Sequence, residues 1–170
     1  VTRFAIRPAA PADLEWLPAI EAAADELFAQ AGIGPLPSGT SDPGDYAEAL
    51  QVLVAGTPVY GFATIEEVDG EAHLEQLSVH PEHARSGVGT ALLEAVCAWA
   101  TDQGYDVVTL STFAEVPWNG PFYATRGFEA VDDPGPELRA LRANEGRLGL
   151  DALGPRVVMR RRLGGDVMSG

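Results

Sequence analysis

Two proton-accepting side chains, His73 and Glu75, stand two residues apart in the run His73-Leu74-Glu75-Gln76-Leu77-Ser78-Val79. In an extended strand that spacing puts both on one face, roughly 7 Å apart. Further on, Gly87-Val88-Gly89 opens a segment with helical patterning. Glycine costs about 1 kcal/mol against alanine inside a helix, so two of them at its start suit another task. A helix N-terminus presents unpaired N–H groups and a partial positive charge, and glycines remove the side chains that would hold an anion away. Arg85-Ser86-Gly87-Val88-Gly89-Thr90 therefore suits a phosphate-bearing ligand, with Arg85 adding a cation and Thr90 a hydroxyl; the alternative is a turn that only bends the chain. Two familiar phosphate loops fail on spacing. A P-loop needs Gly-Lys-Ser/Thr where this chain has Gly89-Thr90-Ala91, and a dinucleotide fingerprint needs a third Gly or Ala where Leu92 stands. His80 and His83 have no third ligand nearby in sequence, so no metal site is assigned. Cys97 lies among apolar neighbours and reads as a small core residue.

These groups need elements to hold them. Phe4–Arg7 alternates as a short strand, and Ala12–Ala31 has helical spacing with Asp13 as a cap. Gly32–Gly44 is too rich in Gly and Pro for regular structure, and Asp45–Leu50 reads as a short helix. Strands are expected at Gln51–Ala55, Val59–Val68 and Ala72–Val79, punctuated by Gly56-Thr57-Pro58 and Asp69-Gly70. A helix over Val88–Thr101 turns Val88, Leu92, Ala95, Val96 and Trp99 toward a core. Then come a strand at Asp106–Phe113, a helical turn at Phe122–Thr125, a strand at Gly127–Val131, a helix over Pro136–Arg147 and a last strand at Arg156–Leu163. Arg156, Arg160, Arg161 and Arg162 read as the exposed face of that strand. The class is α/β: a mixed sheet flanked by helices, with a parallel crossover from Ala72–Val79 to Asp106–Phe113. Residues 1–163 are expected to form a single domain, with a disordered tail at 164–170.

The 170 residues are 46% hydrophobic and 21% charged, as in ordinary globular domains. A net charge of −14 and a pI near 4.4 repel polyanions, so nucleic acid is excluded as a partner. No apolar run approaches the roughly 20 residues that span a bilayer. The opening residues are neither an apolar signal core nor an acid-poor transit peptide, so a cytoplasmic address is expected.

The stretch Leu77-Ser78-Val79-His80-Pro81-Glu82-His83-Ala84-Arg85-Ser86-Gly87-Val88-Gly89-Thr90-Ala91-Leu92-Leu93 resembles the acetyl-CoA motif of the GCN5-related N-acetyltransferase (GNAT) family. That pattern is a strand ending in Leu-x-Val, a short loop, Gln/Arg-x-x-Gly-x-Gly/Ala and a helix. Ala84 stands where the family most often has Gln or Arg, with Arg85 next. Downstream, Asn119 and Tyr123-Ala124-Thr125-Arg126-Gly127-Phe128 resemble its second motif, although Gly120-Pro121 makes the interval from Asn119 short. The order of elements agrees from Phe4 to about Leu163.

The resemblance implies an acyl-CoA N-acyltransferase fold and an enzyme that carries acetyl from acetyl-CoA, its co-substrate, to a primary amine by direct attack in a ternary complex. An amine of pKa about 10.4 is only roughly one part in 10³ neutral at pH 7, so a base is needed. Glu75 is the favoured base, directly or through water, with His73 as alternate or relay. Tyr123 matches the family's general acid at the departing thiolate. Leu77, Ser78 and Val79 would border the co-substrate by their backbone, Arg85, Ser86, Gly87, Val88, Gly89 and Thr90 would hold its phosphates, and Asn119 would assist. The acceptor is a small-molecule or peptide amine, and the family's habit is a homodimer. The competing class is a module that binds acetyl-CoA as a sensor without turnover.

Overall fold

A computed structural model describes residues 4–34, 36 and 42–164. Seven strands form one mixed sheet in the order β1-β2-β3-β4-β5-β7-β6. They are β1 (Ile6–Pro8), β2 (Gln51–Ala55), β3 (Gly61–Val68), β4 (Glu71–Val79), β5 (Val107–Phe113), β6 (Glu129–Ala130) and β7 (Arg156–Arg162). The helices are α1 (Leu17–Gln30), α2 (Pro43–Ala47), α3 (Val88–Asp102), α4 (Gly120–Ala124), α5 (Pro136–Arg147) and α6 (Leu150–Leu153). β4 and β5 run parallel, the crossover expected from the sequence, while β1/β2, β2/β3, β5/β7 and β6/β7 are antiparallel. The chain divides into two compact units, Val1–Glu66 with Leu74–Ala98 and Glu67–His73 with Trp99–Gly170.

In the first unit the strand alternation sorts side chains into two clusters. Val52, Val54 and Phe62 pack with Leu17 and Ile20 of α1 and Tyr46 of α2, whose ring meets Phe62 edge-on at 5.4 Å. Ala55 packs with Val88 and Leu92 of α3, joined by Leu77 and Val79. The expected stripe on α3 is wider than its spacing suggested, because Leu93, Cys97 and Ala100 are buried as well. The expected Ala12–Ala31 helix splits into a 3₁₀ segment, Pro11–Trp16, and α1. Asp13, expected as a cap, lies at the third position of the 3₁₀ segment, where it accepts from the Ala10 amide at 2.7 Å and from Arg7 through two bonds of 2.6 and 3.0 Å. The Arg7 guanidinium keeps its carboxyl below the usual carboxylate range. α2 starts earlier than Asp45 because Pro43 suits a first helical position and the Asp45 carboxylate accepts from the Asp42 amide at 2.8 Å. Residues 35 and 37–41 of the expected loop, and 165–170 of the expected tail, lie outside the described residues.

In the second unit β5 and β7 pair along their full length, from Val107 opposite Arg162 to Phe113 opposite Arg156. The Gly127–Val131 strand contracts to the two residues of β6. α5 occupies the expected residues. Its N-terminus is held from far away in sequence: Asp69 accepts from the amides of Glu137 (2.8 Å) and Leu138 (3.0 Å), and the Asp69 amide donates to Glu137 Oε1 at 2.6 Å. A side chain on Gly135 would stand 2.6 Å from the Asp69 carboxylate, so any other residue there would have to displace the carboxylate that holds α5. Arg156 corrects one expectation. It is not on an exposed face; its side chain is 8% exposed and paired with Glu145 at 3.1 Å.

Candidate active site

The cradle residues lie in the first unit, at the end of β4 and the start of α3. Leu77 and Val79 pack toward α3, and Ser78 is buried with its hydroxyl accepting from Gln76 Nε2 at 3.1 Å. A 3₁₀ turn, Pro81–His83, follows. Here His80 Nδ1 accepts from the Glu82 amide and the His83 ring stacks on Tyr60 at 4.0 Å, so both rings help to shape the loop. The Ser86 hydroxyl donates to the His83 carbonyl. Arg85 and Gly87 both take the left-handed conformation, with φ of 62° and 97°. At Gly87 this removes the usual penalty for positive φ, whereas Arg85 bears it. The first intrahelical bond runs from the Ala91 amide to the Gly87 carbonyl at 3.0 Å, so the amides of Val88 and Gly89 lie ahead of the ladder.

On β4 the two candidate bases have different surroundings. Glu75 is exposed, while His73 is 1% exposed. His73 Nδ1 lies 2.8 Å from Thr109 Oγ1, across the parallel pairing of β4 with β5. Burial pushes the imidazole down to about 4, with the Glu145 charge opposing in part. His73 is therefore neutral at pH 7, and what separates it from Glu75 is that it is sealed from solvent.

The acid candidate lies in the second unit. Asn119 precedes α4, and its carbonyl accepts from the Tyr123 amide at 3.0 Å while its side chain donates to the Trp118 carbonyl. Gly120 lets α4 approach the end of β5, since a Cβ there would meet Ala114 O at 2.6 Å. Gly127, at φ 90°, turns the chain back so that Phe128 meets Tyr123 edge-on at 5.6 Å, with Phe122 at 5.1 Å on another side. This accounts for the Tyr-x-x-x-Gly-Phe spacing. Burial raises the Tyr123 phenol above its ordinary value, and its hydroxyl makes no hydrogen bond among the described residues.

The sequence left out Thr109, Ser111 and Glu145, which the structure brings to the His73 side of β5. The available signal was Thr109-x-Ser111, two polar residues on one face of β5.

Residues 48–130 match a family model described as an acetyltransferase (GNAT) domain. A mycothiol acetyltransferase from Parafrankia is 36% identical over 89 residues, which is 51% of this chain but only 27% of that protein. A GCN5-related N-acetyltransferase structure from Rhodopseudomonas palustris is similar with a TM-score of 0.69 and 24% identity, covering 95% of this chain and 97% of that one. A PaiA N-acetyltransferase from Thermoplasma acidophilum, solved with coenzyme A, has a TM-score of 0.65 at 17% identity, covering 95% and 99%.

Proposed function

We propose that this chain, whose residues 48–130 match the acetyltransferase (GNAT) domain model, belongs to that family and transfers acetyl from acetyl-CoA to a primary amine on a small molecule or peptide, by direct attack in a ternary complex, with residues 1–163 acting as one transferase domain. The observation that carries this reading is the N-terminus of α3, where the amides of Val88 and Gly89 stand ahead of the helical ladder behind left-handed Arg85 and Gly87. Such a terminus suits phosphate oxygens. Bound there, acetyl-CoA supplies an acetyl group activated as a thioester. Arg85, Ser86, Gly87, Val88, Gly89 and Thr90 hold its phosphates, the backbone of Leu77, Ser78 and Val79 lies along its arm, and Asn119 fixes the start of the helix that carries Tyr123. Glu75, exposed on β4, takes the amine proton directly or through water. His73, buried and neutral, orients the strand and does not serve as the base. Tyr123 keeps its proton until the thiolate departs and then gives it up.

The test is incubation with acetyl-CoA and a panel of amines, with detection of free thiol. Thiol release that depends on an amine supports the transferase. The withdrawal of His73 as a base favours one second reading, a module that binds acetyl-CoA without turnover. Thermal stabilisation by acetyl-CoA with no thiol from any amine would select it.

A further inference from the structure

The connection between β6 and β7 folds as α5 and α6, and α5 is attached chiefly through polar groups. Leu138 is its buried hydrophobic side chain, whereas α3 buries Val88, Leu92, Leu93, Val96, Cys97 and Ala100. At its N-terminal end α5 is held by Asp69. Toward its C-terminal end, Glu145 Oε1 accepts from Ser111 Oγ at 2.8 Å and from Arg142 at 3.1 Å, and Oε2 takes Arg156 at 3.1 Å. Arg142 also reaches Asp151 of α6 at 3.1 Å. Arg156 lies over the Phe113 ring at 4.6 Å, and its buried Nε has no partner among the described residues. Ser111 is two residues beyond Thr109 and two before Phe113, so all three share one face of β5. Thr109 is the partner of buried His73. The ion-pair cluster thus closes the strand face to which His73 is bonded.

We propose that α5 is a detachable cover on this face of β5, that Glu145 is its latch, and that the burial of His73 depends on the latch being closed. The charged groups that the elements of this unit bring to the face are Glu145 and Arg142 of α5, Asp151 of α6, and Arg156 and Arg160 of β7, which pair opposite Phe113 and Thr109. The proposal concerns this unit alone and does not rest on acetyl transfer.

Glu145→Gln keeps the shape of the side chain and removes its charge. The readouts are amide hydrogen exchange, resolved by element, and the His73 ring pKa from an NMR titration. Exchange across Pro136–Arg147 should quicken by about 10-fold or more while β5 and α3 stay unchanged, because a local opening exposes only its own amides. The ring pKa should rise from about 4 toward its ordinary value. Electrostatics in a closed structure has the opposite sign, since losing a nearby negative charge lowers the pKa of a fixed imidazole. A ring pKa that falls or stays put, or α5 exchange that rises only in step with α3, overturns the proposal. Asp69→Asn loosens the other end of α5. It should move both readouts in the same directions, and it supports or overturns the latch on the same two readouts if the Glu145 variant does not fold.

Discussion

Tyr123 sits where its proton is hard to remove, because burial favours the neutral phenol and Phe122 and Phe128 pack its ring. Tyr123→Phe keeps that packing. Under the proposed chemistry it should lower kcat by around 10²-fold while acetyl-CoA affinity and Tm barely move. A stable variant with unchanged kcat would remove Tyr123 from the mechanism. Glu75→Gln should cost about 10²–10⁴ in kcat, and the loss should shrink at high pH, where free amine no longer needs a base. If His73→Ala carries the loss and Glu75→Gln is silent, the roles are reversed. Residue types were legible at this scale and surroundings were not. The spacing put His73 and Glu75 on one strand, but that one would be sealed and the other open depends on what β5 and α5 bring, which no local pattern reveals. Arg156 was misread for the same reason, since its partner Glu145 comes from another element.

Elements with strong local signals were read nearly to their ends. α5 runs over the expected residues, with Pro136 at its start, and Asp69-Gly70 located a hairpin turn whose two residues both take positive φ, 54° and 75°. α6 was missed because four residues between Gly149 and Gly154 are too few to show a period. β6 shrank because its pairing is decided by β7 and not by its own composition. Two glycines give tests at this scale. Gly89→Val at the first turn of α3 should abolish the rise in Tm on adding acetyl-CoA while leaving a folded protein; equal stabilisation of both proteins would sink the cradle. Gly120→Ala places a methyl group against the Ala114 carbonyl, so α4 must shift, at a cost of about 1–3 kcal/mol. Calorimetry showing no loss of stability would mean that α4 is not seated by this close approach.

At the scale of the whole molecule, none of the described helices is long and apolar enough to cross a membrane, and pH acts through groups of opposite sign. Below its ordinary value near 6.5, His73 takes a proton in the unfolded chain but refuses it in the folded one until about 4. The unfolded state thus binds more protons in that window, and this contribution is intact above it and lost as pH falls, by about 3 kcal/mol in all. Half-buried Asp25, pushed up to about 6 by burial and by Glu21, opposes it, since its folded form holds the proton more tightly. The comparison must therefore be between proteins: Tm should fall more steeply from pH 6.5 to 4.5 in the wild type than in His73→Asn, and parallel curves would refute the assignment. The bond between Asp69 and α5 has a temporal consequence. Its two sides are 68 residues apart, so the cap forms only after the hairpin and the strands between have come together, and a loop that long is costly to close early. α5 should then dock after the rate-limiting barrier of folding. Asp69→Ala should speed unfolding and leave the folding rate nearly untouched, which gives the connection its hold on the native state through the barrier to leaving it.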